Sequence, residues 1–235
     1  MTAPQEAPQP RPSFQRPVVI GATVLAVLLL GAVIGMFLTQ MATRDDASPA
    51  TPTEGSVEVG FAQDMSVHHL QAVTMASWER DHTTDPQLKQ LAFDIESTQR
   101  EQVGRMKGWL MLWGQPEQAT GAYMAWMQSD AGHGHMAMGP SAGGAAAGAP
   151  MPGMATNDEL AKLRSLSGRE LDVYFLQLML RHHAGGTDMA QYAHDNSSVS
   201  AVRALTQSIL TSQGAEMTLM RDMLAARGAS PLPFP

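Results

Sequence analysis

Apolar residues recur three and four positions apart in four long segments of this chain, which is the spacing of one face of an α-helix. The segments are residues 57–80, 86–113, 168–194 and 199–227. Asp85 before Pro86 is a helix start signal, and Gly114 followed by Pro116 ends the same segment. A shorter helix is predicted over 158–166. The pattern therefore predicts an all-α protein in which long helices follow one another as two hairpins.

The two predicted hairpins are copies of each other, related by a constant offset of 114 residues without a gap. The residues Phe61, Gln63, Met65, His68, His69, Met75 and Ala76 of the first hairpin recur as Phe175, Gln177, Met179, His182, His183, Met189 and Ala190. A single hairpin leaves its apolar face in water, so two equivalent hairpins are expected to pair. The duplication predicts a four-helix bundle.

A different pattern occupies the N-terminus, where residues 18–38 carry no charge. A helix of about 20 such residues spans the hydrocarbon layer of a membrane. Arg11 and Arg16 precede the span, whereas Arg44 is followed at once by two aspartates, so the positive-inside rule places the N-terminus in the cytoplasm. A transmembrane anchor is predicted, with the remainder outside the cell membrane. The alternative is a cleavable signal peptide, whose apolar stretch is usually shorter.

Composition sets the remaining domain boundaries. The prediction is a cytoplasmic tail (1–17), the anchor (18–38), a flexible tether (39–56), the first hairpin repeat (57–128), a linker (129–155) and the second hairpin repeat (156–235). The tether is rich in Asp, Pro, Thr and Ser. The linker is rich in Gly, Ala, His and Met, a composition that does not build a packed core.

Charge and cysteine content exclude several classes of protein. The formal net charge of −7 argues against a nucleic-acid partner. The chain has no cysteine, so neither disulfides nor thiolate metal sites are available to it. It has 18 methionines, and methionine is both an adaptable core residue and a thioether ligand.

The repeated histidines interrupt the apolar faces of the helices. At about 100° per residue, His68 faces the core, whereas His69 is rotated by one step and is expected at a helix seam or at the surface. Gln and Glu side chains interrupt the core stripe of the second helix in each hairpin, and we expect them to hydrogen-bond the histidines of the first. A polar network that sets helix register without any metal is the alternative interpretation.

Imidazole and thioether groups without thiolate suit Cu(I), with Cu(II) also accepted by imidazoles. The candidate metal ligands are His68, His69, His182, His183, Met65, Met75, Met179 and Met189. The side chains expected to orient them are Gln99, Gln213, Glu216 and Asp64. A second candidate metal site lies in the linker, at His133, His135, Met136 and Met138. A solvated spacer explains the linker cluster equally well.

The motif M-x-x-H-H-x-x-(A/G)-x-x-M-A, followed by I-x-x-x-Q and M-x-x-(W/M)-L, resembles the domain of unknown function 305 (DUF305) family, which includes CopM-like copper-binding proteins. The resemblance covers about residues 57–228. It implies a ferritin-like four-helix bundle, usually exported, with copper binding and resistance in some members. In this family the position three residues after the motif's glutamine is often acidic. Here it is Gln102 in the first copy and Glu216 in the second, so the first copy departs from the pattern. The two halves are therefore expected to differ in charge.

Catalysis is not expected from these residues. A di-iron carboxylate site in a helical bundle takes Glu-x-x-His from two helices and a further Glu from each of the others. Glu79 and His82 match one such motif, but their counterparts are Ala193 and Asn196. The sequence predicts a membrane-tethered, extracytoplasmic copper buffer or carrier, possessing no organic cofactor. The alternatives are a structural or interaction module of the envelope with an unknown protein partner and, less favoured, a ferritin-like iron oxidase.

Overall fold

The computed structural model describes residues 15–44, 51–127 and 148–233. The long regular elements within these ranges are helices. The helices are α1 (Gln15–Arg44), α2 (Val57–His82), α3 (Pro86–Leu112), α4 (Asn157–Ser165), α5 (Gly168–Asn196) and α6 (Ser200–Ala226), with a 3₁₀ turn at Ala125–Met127. No strand occurs in these three ranges. The all-α prediction is confirmed.

Helix α1 belongs to a unit of its own, residues 1–50, and the second unit comprises residues 51–235. Within α1, the stretch Ile20–Met41 is long and apolar enough to cross a membrane by length and composition. It coincides with the predicted span. Most of the predicted cytoplasmic tail, including Arg11, lies outside the described residues.

Local sequence signals explain where the helices of the second unit begin and end. The Asp85 carboxylate accepts hydrogen bonds from the backbone N–H groups of Gln87 and Leu88 at 2.9 and 3.2 Å, which caps α3. Thr156 and Glu159 form a reciprocal capping box at the start of α4. Gly114, just after α3, has a φ of +65°, a left-handed conformation that glycine adopts without steric cost.

The duplication is visible in hydrogen bonds that recur at the same offset. Helices α2 and α3 form one hairpin, α5 and α6 form the other, and α2 packs against α5. The Glu58 carboxylate, at the start of α2, accepts from the Ser197 hydroxyl in the turn of the opposite hairpin at 2.8 Å. The equivalent bond runs from the Thr83 hydroxyl to Asp172, also at 2.8 Å. Each hairpin therefore places a carboxylate from near the start of its first helix against the turn of the other hairpin. We call this pair of hydrogen bonds the acid-to-turn contacts.

The core of the second unit consists of two apolar clusters with polar residues between them. Cluster 1 contains the buried Met65 of α2 and Met189 of α5, and cluster 2 contains Met75 of α2 and Met179 of α5. Along each of the four long helices, the two clusters are separated by a short polar stretch. We call these polar residues the histidine layer: His68 and His69 on α2, Gln99 and Gln102 on α3, His182 and His183 on α5, and Gln213 and Glu216 on α6.

Candidate metal centre

The four histidines of the layer are completely buried, each with 0% of its surface exposed. His68 and His182 meet across the interface between α2 and α5, with ring centroids 3.8 Å apart. Each lies 6.4 Å from its sequence neighbour, measured between ring centroids. His69 and His183 lie at the seams with α3 and α6 and not at the surface. The structure therefore brings histidines from both copies together.

Each of these histidines donates its Nε2–H to a fixed oxygen of the protein. His68 bonds to the Pro152 carbonyl at 3.1 Å, and His182 to the His68 carbonyl at 3.0 Å. His69 bonds to the side-chain oxygen of Gln102 at 2.8 Å, and His183 to that of Glu216 at 2.6 Å. Carbonyl and carboxylate oxygens can only accept, so Nε2 carries a proton in each of these four rings.

All four Nδ1 atoms are buried and have no hydrogen-bond partner among the described residues. Burial lowers the pKa of His68 to about 4 and that of His69 to about 3, and it lowers the pKa of His182 well below its ordinary range. The imidazoles of His68, His69 and His182 are therefore neutral near pH 7, and their Nδ1 atoms keep their lone pairs. A neutral imidazole with one nitrogen held by a protein acceptor and the other bare is the form that binds a metal ion. The histidine layer thus fits a soft or borderline metal.

Gln99 and Gln213 are buried in the same layer, and their side-chain amides have no partner within the described residues. The Gln213 amide oxygen and His68 Nδ1 both approach the Cα side of Gly186, where an added Cβ would lie 3.6 and 3.5 Å from them. The side chains that bond histidines are Gln102 and Glu216, so the prediction is confirmed for Glu216 and wrong for Gln99 and Gln213. Gln99 and Gln102 are three residues apart on α3, so a shift of less than one helical turn between α2 and α3 decides which of them meets His69. Angular positions within a single helix do not determine this shift.

The methionines predicted as ligands are buried on both sides of the layer. Met65 and Met189 lie in cluster 1, and Met75 and Met179 in cluster 2, each with at most 1% of its surface exposed. In the described part of the chain, no three histidine, aspartate or glutamate side chains gather where one ion could be held. A coordination shell built on an imidazole pair therefore has thioethers and amide oxygens available to complete it.

Asp64 lies outside the histidine layer, contrary to its predicted role. Its carboxylate accepts from the Met124 backbone N–H at 2.6 Å and from the Trp126 indole at 2.9 Å. Asp64 therefore holds the 3₁₀ turn at Ala125–Met127 in place. Along α2, Asp64 lies about one helical turn from His68. Burial raises the pKa of Asp64, although these two hydrogen bonds oppose the shift.

The end of the predicted linker is packed against the bundle. We call residues 151–155 the strap: Met151 and Met154 are buried, and the backbone N–H and C=O of Ala155 both bond to the Gln71 side chain, at 2.7 and 2.9 Å. Sequence reasoning missed the strap and its Pro152 carbonyl. The available signal was Gly185–Gly186 inside a helix, because glycine in a helix interior often marks a close backbone approach. A methyl group on Gly185 would overlap the Pro152 carbonyl.

Two further predicted features remain. The linker residues His133, His135, Met136 and Met138 lie outside the described residues. The half-motif of a di-iron site consists of Glu79 and His82, which differ in exposure to solvent. Glu79 is fully buried, whereas His82 is exposed and stacks on Trp78.

The fold and the site define a class of protein: an all-α domain of two helical hairpins with a buried layer of four histidines. The family model described as "Domain of unknown function (DUF305)" matches residues 58–224. The chain belongs to the DUF305 family, as its motif predicted.

Solved structures of the same family share this fold. A candidate secreted DUF305 protein of Streptomyces coelicolor is 40% identical, with a TM-score of 0.66 over 77% of this chain and 99% of that one. A DUF305 fragment of Deinococcus radiodurans is 30% identical, with a TM-score of 0.56 over 72% and 96% of the two chains. CopM in its Cu(II)-bound form is 26% identical, with a TM-score of 0.51 over the same shares. CopM is also known in Cu(I)-bound and silver-bound forms, at 22% and 21% identity.

A curated protein gives a shorter match. The uncharacterised protein L153 of Acanthamoeba polyphaga mimivirus is 39% identical over 46 residues. These residues are 20% of this chain and 30% of the viral protein, so the chain spans about a third of that relative.

Proposed function

We propose that this protein binds copper in the histidine layer and acts, without catalysis, as a membrane-tethered buffer or carrier of the metal. The observation that carries the proposal is the set of four buried Nδ1 atoms without a hydrogen-bond partner among the described residues, each on an imidazole whose other nitrogen is already held. Leaving such polar atoms unpartnered costs free energy, which a bound metal ion would recover. CopM, which shares the fold, has been solved with copper.

His68 and His182 are the principal ligands in this proposal because their rings are in contact across the two copies. His69 and His183 are secondary ligands, or ligands shared at the helix seams. Thioethers from cluster 1 and cluster 2 complete the shell on either side, and the absence of cysteine leaves them as the soft ligands of the chain. Imidazole with thioether favours Cu(I), and copper held this way is shielded from solvent.

Helix α1 and the charges that flank it support a proposed location. We propose that the span at Ile20–Met41 remains as a single-pass anchor, with the N-terminus in the cytoplasm and the copper domain outside. A cleavable signal sequence meets the same criteria of length and composition. N-terminal sequencing of the native protein decides between them, because an uncleaved anchor leaves the residues near Met1 in place.

A structural role for the histidines has its own supporting observation. The His182 imidazole bonds the His68 carbonyl, and His183 bonds Glu216, so the layer also joins helices. A register-setting network of this kind needs no metal. The envelope module that it describes is the competing function.

Titration of the detergent-solubilised full chain with Cu(I), against a competing chelator, tests the proposal. The double variant His68→Ala/His182→Ala should lose tight binding while keeping most of its helicity. His82→Ala/His194→Ala is the matched control, because both of these histidines lie outside the layer, and it should bind like wild type. Wild-type protein that binds no copper, together with a layer variant that unfolds, would favour the structural module. Iron binding with oxygen consumption would favour the oxidase.

A further inference from the structure

The two histidine pairs bond to chemically different partners at equivalent positions. His69 donates to the neutral amide of Gln102 at 2.8 Å, and His183 donates to the carboxylate of Glu216 at 2.6 Å. Positions 102 and 216 are related by the same offset as the histidines themselves. Since both imidazoles are fully buried, this difference in charge is the main chemical asymmetry between the seams of the two hairpins.

A carboxylate behind an imidazole changes the ring as a ligand. It orients the ring and increases the electron density at the opposite nitrogen, so the metal affinity of that nitrogen rises. Its negative charge also favours a doubly charged ion over a singly charged one, since Coulomb energy scales with the product of the charges. The Glu216 side chain is 17% exposed, which leaves most of this interaction unscreened by solvent. A neutral amide orients the ring but supplies no net charge.

The hydrogen bond by itself does not require a carboxylate. Gln102 holds His69 in the same tautomer with an amide, so glutamine at 216 would satisfy His183 equally well in the metal-free protein. Placing a charged group in a largely buried position carries a desolvation cost that an amide avoids. A cation bound to the opposite nitrogen of the His183 ring would offset this cost, which an amide at position 216 would not incur.

On the basis of the proposed copper function, we infer that Glu216 and Gln102 are positioning residues that make the two halves of the centre unequal. The His183 half, backed by the carboxylate, holds Cu(II) more tightly than the His69 half. The His69 half, backed by the neutral amide, prefers Cu(I). One domain thereby accepts copper in both oxidation states.

Exchange of the two residues tests this inference in the full chain solubilised in detergent. The variants are Glu216→Gln, Gln102→Glu and the double exchange. Copper(II) sulfate titrations are followed by electron paramagnetic resonance, and Cu(I) affinity is measured against a chelator. Glu216→Gln should weaken the tightest Cu(II) site by about 10- to 100-fold, the range for outer partners of metal ligands, with a smaller change for Cu(I). Gln102→Glu should strengthen Cu(II) binding, a gain that misfolding does not produce.

The double exchange should restore Cu(II) affinity while moving the stronger site. In wild type, His183→Ala should cost more Cu(II) affinity than His69→Ala, and in the double exchange this order should reverse. Equal Cu(II) affinities across all of the exchange variants, in proteins that still bind Cu(I), would overturn the inference and leave the copper function standing. Failure of every protein, wild type included, to bind either ion would contradict the copper function itself.

Discussion

Single glycines decide how closely the strap approaches the histidine layer. Gly185 and Gly153 meet backbone to backbone, and Gly153 has a φ of +75°. The contact places the Pro152 carbonyl where His68 can donate to it. The tautomer of one candidate ligand therefore depends on the absence of a methyl group on the neighbouring helix.

Gly185→Ala should destabilise the domain by about 1–3 kcal/mol, the usual cost of forcing extra volume into a packed site. The added Cβ would overlap the Pro152 carbonyl and push the strap away from α5. Gly214→Ala, in α6, is the matched control, because its Cβ would meet no atom within 4 Å. It should instead stabilise the helix by about 0.5–1 kcal/mol. Urea unfolding of both variants checks the pair, and equal effects would contradict this description of the strap.

Glu79 should make the stability of the protein depend on pH. Burial, and then the neighbouring carboxylate of Asp172, raises the pKa of Glu79 to about 9, against an ordinary value of 4.5. The folded protein therefore retains a proton that the unfolded chain releases. The stabilisation is complete below about pH 4.5 and is lost as the pH rises towards 9.

Glu79→Gln replaces this group with one that does not titrate. Between pH 5 and 9, the free energy of unfolding should therefore fall less steeply in the variant than in wild type. Urea titrations across this range measure both slopes. Glu101→Gln, at an exposed position of α3, should leave the slope unchanged. Parallel profiles for wild type and Glu79→Gln would show that Glu79 is ionised in the folded protein.

At the scale of helices, the reciprocal acid-to-turn contacts hold the two hairpins together. The Glu58 carboxylate accepts from the Ser197 hydroxyl at 2.8 Å and from the Ser198 backbone N–H at 2.8 Å. The first contact joins the start of α2 to the turn between α5 and α6. Asp172 repeats the arrangement in the opposite direction.

Glu58→Ala should cost about 1.5–3 kcal/mol of stability, since hydrogen bonds to charged groups contribute that much and the variant leaves their donors unpaired. Glu101→Ala is a control that removes an exposed ion pair with Arg105 and should change stability by at most about 1 kcal/mol. Chemical unfolding of the two variants measures the difference. A Glu58 variant as stable as the control would mean that the acid-to-turn contacts contribute little to hairpin pairing.

The hairpins could be predicted from sequence because their signals are local and repeated. Helical spacing, the caps at Asp85 and Thr156, and the constant offset all lie along the chain itself. The core position of His68 could also be predicted from helical spacing, whereas its contact with His182 depends on how the two hairpins pair. The choice between Gln99 and Gln102 depended on interhelical register, and the strap depended on a backbone contact between distant segments. Composition and angular position carry neither kind of information.

At the scale of the whole molecule, the proposed metal binding depends on folding, because the polar layer lies between two apolar clusters. Both hairpins contribute imidazoles, so an ion held there binds the folded domain and not the unfolded chain. Binding that is confined to the folded state raises stability in proportion to the logarithm of the free metal concentration.

Cu(I) at 100 times its dissociation constant should therefore add about 2.7 kcal/mol to the free energy of unfolding. Thermal unfolding of the full chain, with and without Cu(I) under anaerobic conditions, measures this effect. The His68→Ala/His182→Ala variant should show little or no stabilisation by the metal. Equal stabilisation of both proteins would place the bound copper elsewhere in the chain.

Nitrogen-15 NMR of the imidazoles most directly tests the claim that the histidine layer binds copper through Nδ1. In the metal-free full chain, His68, His69 and His182 should be neutral, and all four histidines of the layer should carry a proton on Nε2. Stoichiometric Cu(I) should then shift the Nδ1 resonances of His68 and His182 while their Nε2 protons remain. Protons found on Nδ1 in the metal-free protein, or Nδ1 resonances that do not move when copper is bound, would contradict it.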